Sequence, residues 1–293
     1  MKTKKQHYIP QFFLKKFSEN NDSLISAYLK PQDKFISTNT KRICYREYYY
    51  DPDNMEKFNT WLVEYAQKLK IELNTELLTK DQYIESVFLN ALETTTANFL
   101  KKILENSNGI LLQDDMFRVC ILIFIINLHA RSPYYRGKYE YLFNQRIEAY
   151  DRFPKETQKE LKNRLKITAK EQQIIEILDL HLYFEDIVAR SKYEWSLAIL
   201  DRESFFIGDN FTQLYDLKEV CIPISFDRAI LIRPKDPNQR KWYLEKSNKK
   251  YITKLGDRSL FICSCFQDAN SDVLIGKRSS IEKYFRILDR IET

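Results

Sequence analysis

Three short stretches hold the residues whose types and spacing could do chemistry. In QHYIP, His7 and Pro10 stand three residues apart inside an apolar run. Proline pushes Ile9 before it toward an extended backbone, so the segment reads as a rigid strand or turn that fixes an imidazole. That ring either works as a general acid or base or satisfies nearby backbone with its two nitrogens. In NLHARSPYYR, a very apolar helix must end at Ser132-Pro133. His129 and Arg131 there would complement the helix's negative end, an effect of about 0.3–1 kcal/mol. Alternatively Arg131 and Arg136, bracketing a turn with two tyrosines, form an anion site, because a guanidinium fork gives phosphate or carboxylate two directed hydrogen bonds. In FFIGDN, an apolar strand ends in Gly208-Asp209-Asn210. A turn explains it, since glycine tolerates positive φ and Asp and Asn bond their own backbone. The other reading presents Asp209 into a cleft as an acid/base, an orienter of His7 or a partner of Arg131.

Other chemistry has less to stand on. Cys263-Ser264-Cys265 lacks zinc-knuckle spacing, and no HExxH, GxSxG or phosphate-cradling glycine loop occurs. No cofactor is expected, although a divalent ion between Asp209 and Asp201 or Glu203 stays open. His181 lies on a helix without a patterned partner and reads as structural. Basic and aromatic residues interleave at 233–251, where Trp242 and Tyr243 could stack on bases, but a solvated loop explains them as well.

These residues must be positioned by the rest of the chain. Its 293 residues, 44% hydrophobic, suffice for one large core or two modest ones. Forty-seven basic against forty-one acidic residues leave +6, which permits a nucleic-acid or nucleotide partner without requiring one. Five scattered cysteines read as reduced thiols in a cytoplasmic protein. No secretory h-region is expected, and the apolar run at 120–128 falls short of the roughly 20 residues that span a bilayer, so no membrane partner is expected.

Residues 2–50 have β texture, with ISAYL and KFISTN separated by turn residues. From 55 to 190 apolar residues recur at three and four, which predicts helices, with Thr79 or Asp81 and then Asp114 as caps. From 193 onward short apolar runs return, among them WSLAIL, VCIPIS, RAILIRP and SLFICSCF. The expectation is one α+β domain over 1–293. Its N-terminal β-hairpin or meander and C-terminal antiparallel strands pack on a central layer of five or six helices, and a terminal helix follows.

The same stretches resemble domain-of-unknown-function family 4238, whose members typically start His-Tyr-x-Pro-x-x-x-Leu-x-x-Phe. His7, Tyr8, Pro10, Leu14 and Phe17 match that signature. Arg131-Ser132-Pro133-Tyr134-Tyr135-Arg136 is similar to the family's Arg-Thr-Pro-x-x-Arg, and Gly208-Asp209-Asn210-Phe211 to its Ser-Asp-Asn-Pro. Leu128 stands where a glutamine is frequent, and Phe211 where proline is usual. The resemblance implies that three distant motifs converge on one pocket, and it names no reaction.

The reading drawn from this is a nuclease or toxin-like effector, with a role in antiviral defence, that hydrolyses a phosphodiester. Its catalytic residues would be His7, Arg131 and Asp209, with Tyr8, Gln11, Arg136 and Asn210 binding substrate. In that reading Arg131→Ala lowers turnover about two orders of magnitude and leaves folding intact. The alternative is a non-catalytic binding or sensing module for a nucleotide, nucleic acid or protein ligand. The sequence leaves the oligomeric state open.

Overall fold

Proline sets the length of the first strand. β1 (Lys5–His7) pairs antiparallel with β4 (Tyr45–Glu47), His7 opposite Tyr45. Three residues on, the Pro10 carbonyl accepts the N–H groups of Phe13 and Leu14 and opens the short helix α1 (Gln11–Leu14). Phe13, Leu14 and Phe17 are fully buried, so this turn is nailed into the core by its apolar face. These features belong to a computed structural model. It describes residues 3–18, 23–106, 109–164, 167–179, 183–201, 204–210, 219–236, 238, 245–246, 251–255 and 257–292.

The hairpin of β2 (Leu24–Leu29) and β3 (Lys34–Asn39) turns at Asp33, whose φ is 47°. Its other partner comes from far along the chain. β11 (Val273–Gly276) lies between β2 and β6 (Phe206–Gly208), giving the order β3-β2-β11-β6, all antiparallel. A second sheet has the order β7-β8-β5-β10-β9, from β5 (Glu194–Ile199), β7 (Val220–Ser225), β8 (Arg228–Arg233), β9 (Glu245–Lys246) and β10 (Ile252–Lys254). The expected antiparallel C-terminal strands are thus redistributed. β6 and β11 leave to join the N-terminal hairpin, and β10 runs parallel to β5.

Between the sheets in sequence lie α2 (Met55–Leu69), α3 (Asn90–Asn106), α4 (Asp115–Ala130), α5 (Pro133–Ala149), α6 (Lys155–Arg164), α7 (Ala169–Leu178) and α8 (Phe184–Ser191). That is seven α-helices among the described residues where five or six were expected, because the charged stretch after 154 divides into three. Asp114 caps α4 through Phe117 N–H as expected. The caps expected at Thr79 and Asp81 do not form, because α3 is preceded by a π turn (Ile84–Leu89) whose first residues have no side-chain cap. SLFICSCF is not a strand but part of α9 (Asp257–Asp268), which buries Ser259, Cys263, Ser264 and Gln267. Those positions recur at three and four, a helical period that a short apolar run conceals. α10 (Arg278–Glu292) is the expected terminal helix. No single helix among the described residues is long and apolar enough to cross a membrane.

Gly208 ends β6, and it is glycine for want of space and not for a left-handed backbone, which only Gly109 among the described glycines adopts. A Cβ on Gly208 would stand 1.9 Å from the Gln267 carbonyl and 2.1 Å from Ser271 Oγ. Sheet and α9 meet there backbone to backbone. Gly208→Ala should therefore lower the free energy of urea unfolding by about 1–3 kcal/mol, the usual cost of overpacking. An unchanged midpoint would show that the contact is looser than this.

Candidate functional site

The first two motifs meet through the backbone of the first strand. Arg131 follows the last residue of α4, and its side chain turns into the core, where it is 1% exposed. Its Nε donates to Tyr50 Oη at 2.8 Å and its Nη1 to Asn127 Oδ1 at 3.3 Å. Its Nη2 donates both to the His7 carbonyl at 2.7 Å and to Glu93 Oε1 at 2.8 Å. Tyr50 Oη in turn donates to the same His7 carbonyl at 3.1 Å. Burial alone would weaken this cation, but Tyr50, Glu93 and Glu85 around it more than offset that, and its proton is held more tightly than usual.

Arg136 is the counterpart one turn into α5. Its Nε donates to Gln173 Oε1, its Nη2 to the Tyr49 carbonyl at 3.0 Å, and its guanidinium lies 4.3 Å from the Tyr49 ring centre. Gln173, fully buried on α7, also donates to the carbonyls of Ala130 at 2.7 Å and Ser132 at 3.2 Å. The last carbonyl of α4, that of Ala130, is thus satisfied by an amide, not by the cations the sequence offers. His129 is no charged cap either. Burial, helped by nearby Lys138, pushes its imidazole down to about 4, so it is neutral at ordinary pH. Ser132 caps α5 by accepting Tyr135 N–H, and Pro133 starts that helix.

The His7 ring points to a different partner from its carbonyl. Its Nε2 lies 3.2 Å from the Thr40 carbonyl, and burial lowers its pKa, the charges of Arg131 and Lys5 adding to the fall. The Thr40 carbonyl orients this imidazole, one of the roles considered above for Asp209. Asp209 Oδ1 instead accepts the backbone N–H groups of Asp272 at 2.9 Å and Val273 at 3.3 Å, which steadies the start of β11. Its negative charge is felt by Tyr8 and Cys44, whose hydroxyl and thiol are hydrogen-bonded and both raised, chiefly by burial. Tyr8 therefore meets the third motif while His7 meets the second. Asn210 is fully buried, with Nδ2 on the Ala269 carbonyl at 3.3 Å and Oδ1 without a hydrogen bond. Gln11 is half-buried at the start of α1. His181, Glu203, Phe211, Trp242 and Tyr243 lie outside the described residues. Among the described residues no group of three or more His, Cys, Asp or Glu side chains is placed to hold a metal.

Glu85 is the functional candidate that motif reading missed. It sits on the π turn beside Arg131, where burial, with the nearby Glu93 and Asp51, raises its carboxyl to about 7 against the pull of the guanidinium. Its Oε2 is buried without a hydrogen bond. No spacing rule marks this residue, because its neighbours come from 51, 93 and 131. The opposite face of the same turn presents Val87 and Phe88 to a half-open cavity of about 670 Å³. Leu62 and Ala66 of α2, Leu77, Leu92 of α3, Ile123 of α4 and Ile175 of α7 help to line it. Its polar side chains include Tyr65 and Asp179, joined by a hydrogen bond of 2.8 Å from Tyr65 Oη to Asp179 Oδ2.

The family described as Protein of unknown function (DUF4238) matches residues 5–261. The chain belongs to that family. No curated protein and no solved structure matches it. The family carries no assigned activity, so the geometry alone bears on function.

Two outcomes follow for the polar network. Arg131→Ala strands the Glu93 carboxylate, the Tyr50 hydroxyl and the His7 carbonyl in the interior. It should cost about 3–5 kcal/mol in urea unfolding followed by circular dichroism. Arg131→Lys, which keeps the charge but not the fork, should recover part of that; full stability in the alanine variant would refute the anchoring role. Asp209, usually near 3.8, is raised to about 6 by burial against its two backbone donors. The folded state binds this proton more tightly than the unfolded chain, as it does that of Glu85. Stability from the neutral carboxyls is complete below about pH 4 and is lost as pH rises through 6 and 7. Asp209→Asn, which keeps an acceptor oxygen, should gain on the order of 2 kcal/mol over wild type at pH 8 and nothing at pH 4. A gain independent of pH would point to another cause.

Proposed function

We propose that this chain is a non-catalytic binding module that holds an apolar small molecule between α2, α3, α4 and α7. The observation that carries the reading is the cavity, whose 670 Å³ lie within the range of about 300–1,000 Å³ typical of small-molecule sites. Protein interiors elsewhere pack as densely as organic crystals, so walls of Leu, Ile and Phe left wet are costly unless something covers them. The phosphodiester hydrolase reading draws less support. It needs a guanidinium fork with donors to spare, and all three nitrogens of Arg131 and two of the three of Arg136 donate to protein acceptors. In the binding reading His7, Arg131, Arg136 and Asp209 form the frame that holds the chamber's neighbouring elements in register. All five cysteines are free thiols, which fits a reducing compartment.

Trp61 stacks on Tyr65 at 4.9 Å between ring centres, and Tyr65 lines the cavity, so occupancy should register in tryptophan emission. N-phenyl-1-naphthylamine, a neutral apolar fluorophore, should bind saturably and raise the melting temperature. At a hundredfold excess over Kd the gain is about 2.7 kcal/mol. Ala66→Phe, which places a ring in the chamber, should weaken binding at least tenfold at unchanged fold. Uptake that does not saturate, or that Ala66→Phe leaves alone, would sink the reading.

A further inference from the structure

One wall of the chamber is tied down less firmly than the others. Between α2 and the π turn, residues 71–80 form a strap that brings Ile71, Leu73, Asn74, Leu77 and Leu78 to the lining. The four aliphatic side chains among them are half-buried, while Glu72, Thr75, Glu76, Thr79 and Lys80 are exposed. The strap thus turns an apolar face to the chamber and a polar face to water. Its ends are fixed. Lys70, at φ 56° and ψ 36°, closes α2 in the left-handed conformation, and the Ile71 N–H donates to the Ala66 carbonyl at 2.9 Å. Gln82, at φ 49°, is held to Thr3 and Asp51 by its side chain. The middle is another matter. Its 3-10 turn (Thr75–Thr79) is capped by Asn74 and bonds within itself. Among the described residues, one hydrogen bond joins 72–80 to the rest of the chain, from Asn59 Nδ2 to the Leu78 carbonyl at 3.2 Å. The other walls are helices with continuous backbone ladders, and local opening is drawn from segments with few such ties.

Building on the binding reading above, we infer that the strap at 71–80 is the chamber's door, which swings outward on Lys70 and Gln82 to admit the guest, with Asn59 as its latch. Fixed ends and a loosely held middle are what a loop lid needs, because a few terminal residues absorb the change in backbone angles. Opening carries Ile71, Leu73, Leu77 and Leu78 into water, so the door shuts by itself, and closing over an apolar guest buries them further.

The experiment is stopped-flow mixing with N-phenyl-1-naphthylamine, joined to hydrogen exchange. In the wild type the observed binding rate should level off at high probe concentration, because opening precedes entry. Asn59→Ala, which lies outside the lining, should raise that plateau and the dissociation rate together by about three- to tenfold, the loss of one neutral hydrogen bond, with Kd unchanged within twofold. Amides of 71–80 should exchange faster than those of α2 and α3 and slow when the probe binds. A binding rate that climbs linearly without a plateau, or protection by the probe confined to α3 and α7, overturns the door while saturable binding leaves the chamber standing. So does a folded Asn59→Ala protein with wild-type rates. Absence of saturable binding overturns the chamber and the door with it. The wild-type plateau and exchange pattern decide the inference even if Asn59→Ala folds poorly.

Discussion

The carbonyl oxygen of His7 is the point on which the rest of the structure depends. It accepts from Arg131 and from Tyr50, which accepts from Arg131 in turn, so a strand of three residues is held by a closed triangle of hydrogen bonds. A strand that short cannot anchor itself through its ladder alone. Gln6 extends the hold by donating to Asp51 and accepting Tyr50 N–H, and Gln82 joins Thr3 to Asp51. Gln82, Cys44 and Tyr48 all have positive φ, a cost of order 1–3 kcal/mol each for non-glycine residues. The buried network over-determines those conformations. An arginine without acceptors here would be a buried charge; with them it is a rivet.

The second consequence of that frame is that chemistry and architecture compete for the same side chains. An arginine fork suits phosphate because its donors diverge in one plane, and that planarity equally suits a carbonyl, a phenol and a carboxylate arriving from three elements. The long-range partners of Arg131 lie 124, 81 and 38 residues away in the sequence. Arg136 and Gln173 repeat the solution at the α4–α5 bend, where the axis turns by 53°.

Much of the fold was legible because it rests on local rules. The change from a period of two to one near four marked the helices between 55 and 190, and the cap at Asp114 and the break at Ser132-Pro133 sit where the residue types demand. SLFICSCF misled because cysteine and serine satisfy a strand and a buried helix alike. The pairing of β11 with β2 was invisible, since strand partners are chosen across the whole chain. For the candidate residues the sequence marked polar groups in apolar settings but not what each one touches. His7, Arg131, Arg136 and Asp209 are all buried or half-buried and all engaged, but their partners are mostly carbonyls and N–H groups, which every residue has. Glu85 carried no motif because what makes it unusual is supplied by its neighbours in space.

The π turn from Ile84 to Leu89 accommodates one residue more than an ordinary helical turn would. Each residue of a regular helix advances about 100° around the axis, so the surplus residue sets the facing of everything before it relative to α3. Glu85 looks toward the arginine and Phe88 toward the chamber only while that surplus is stored. Were the turn to relax into regular helix, one of the two would swing away. The acid by the rivet and the wall of the chamber are thus geared together through a single turn.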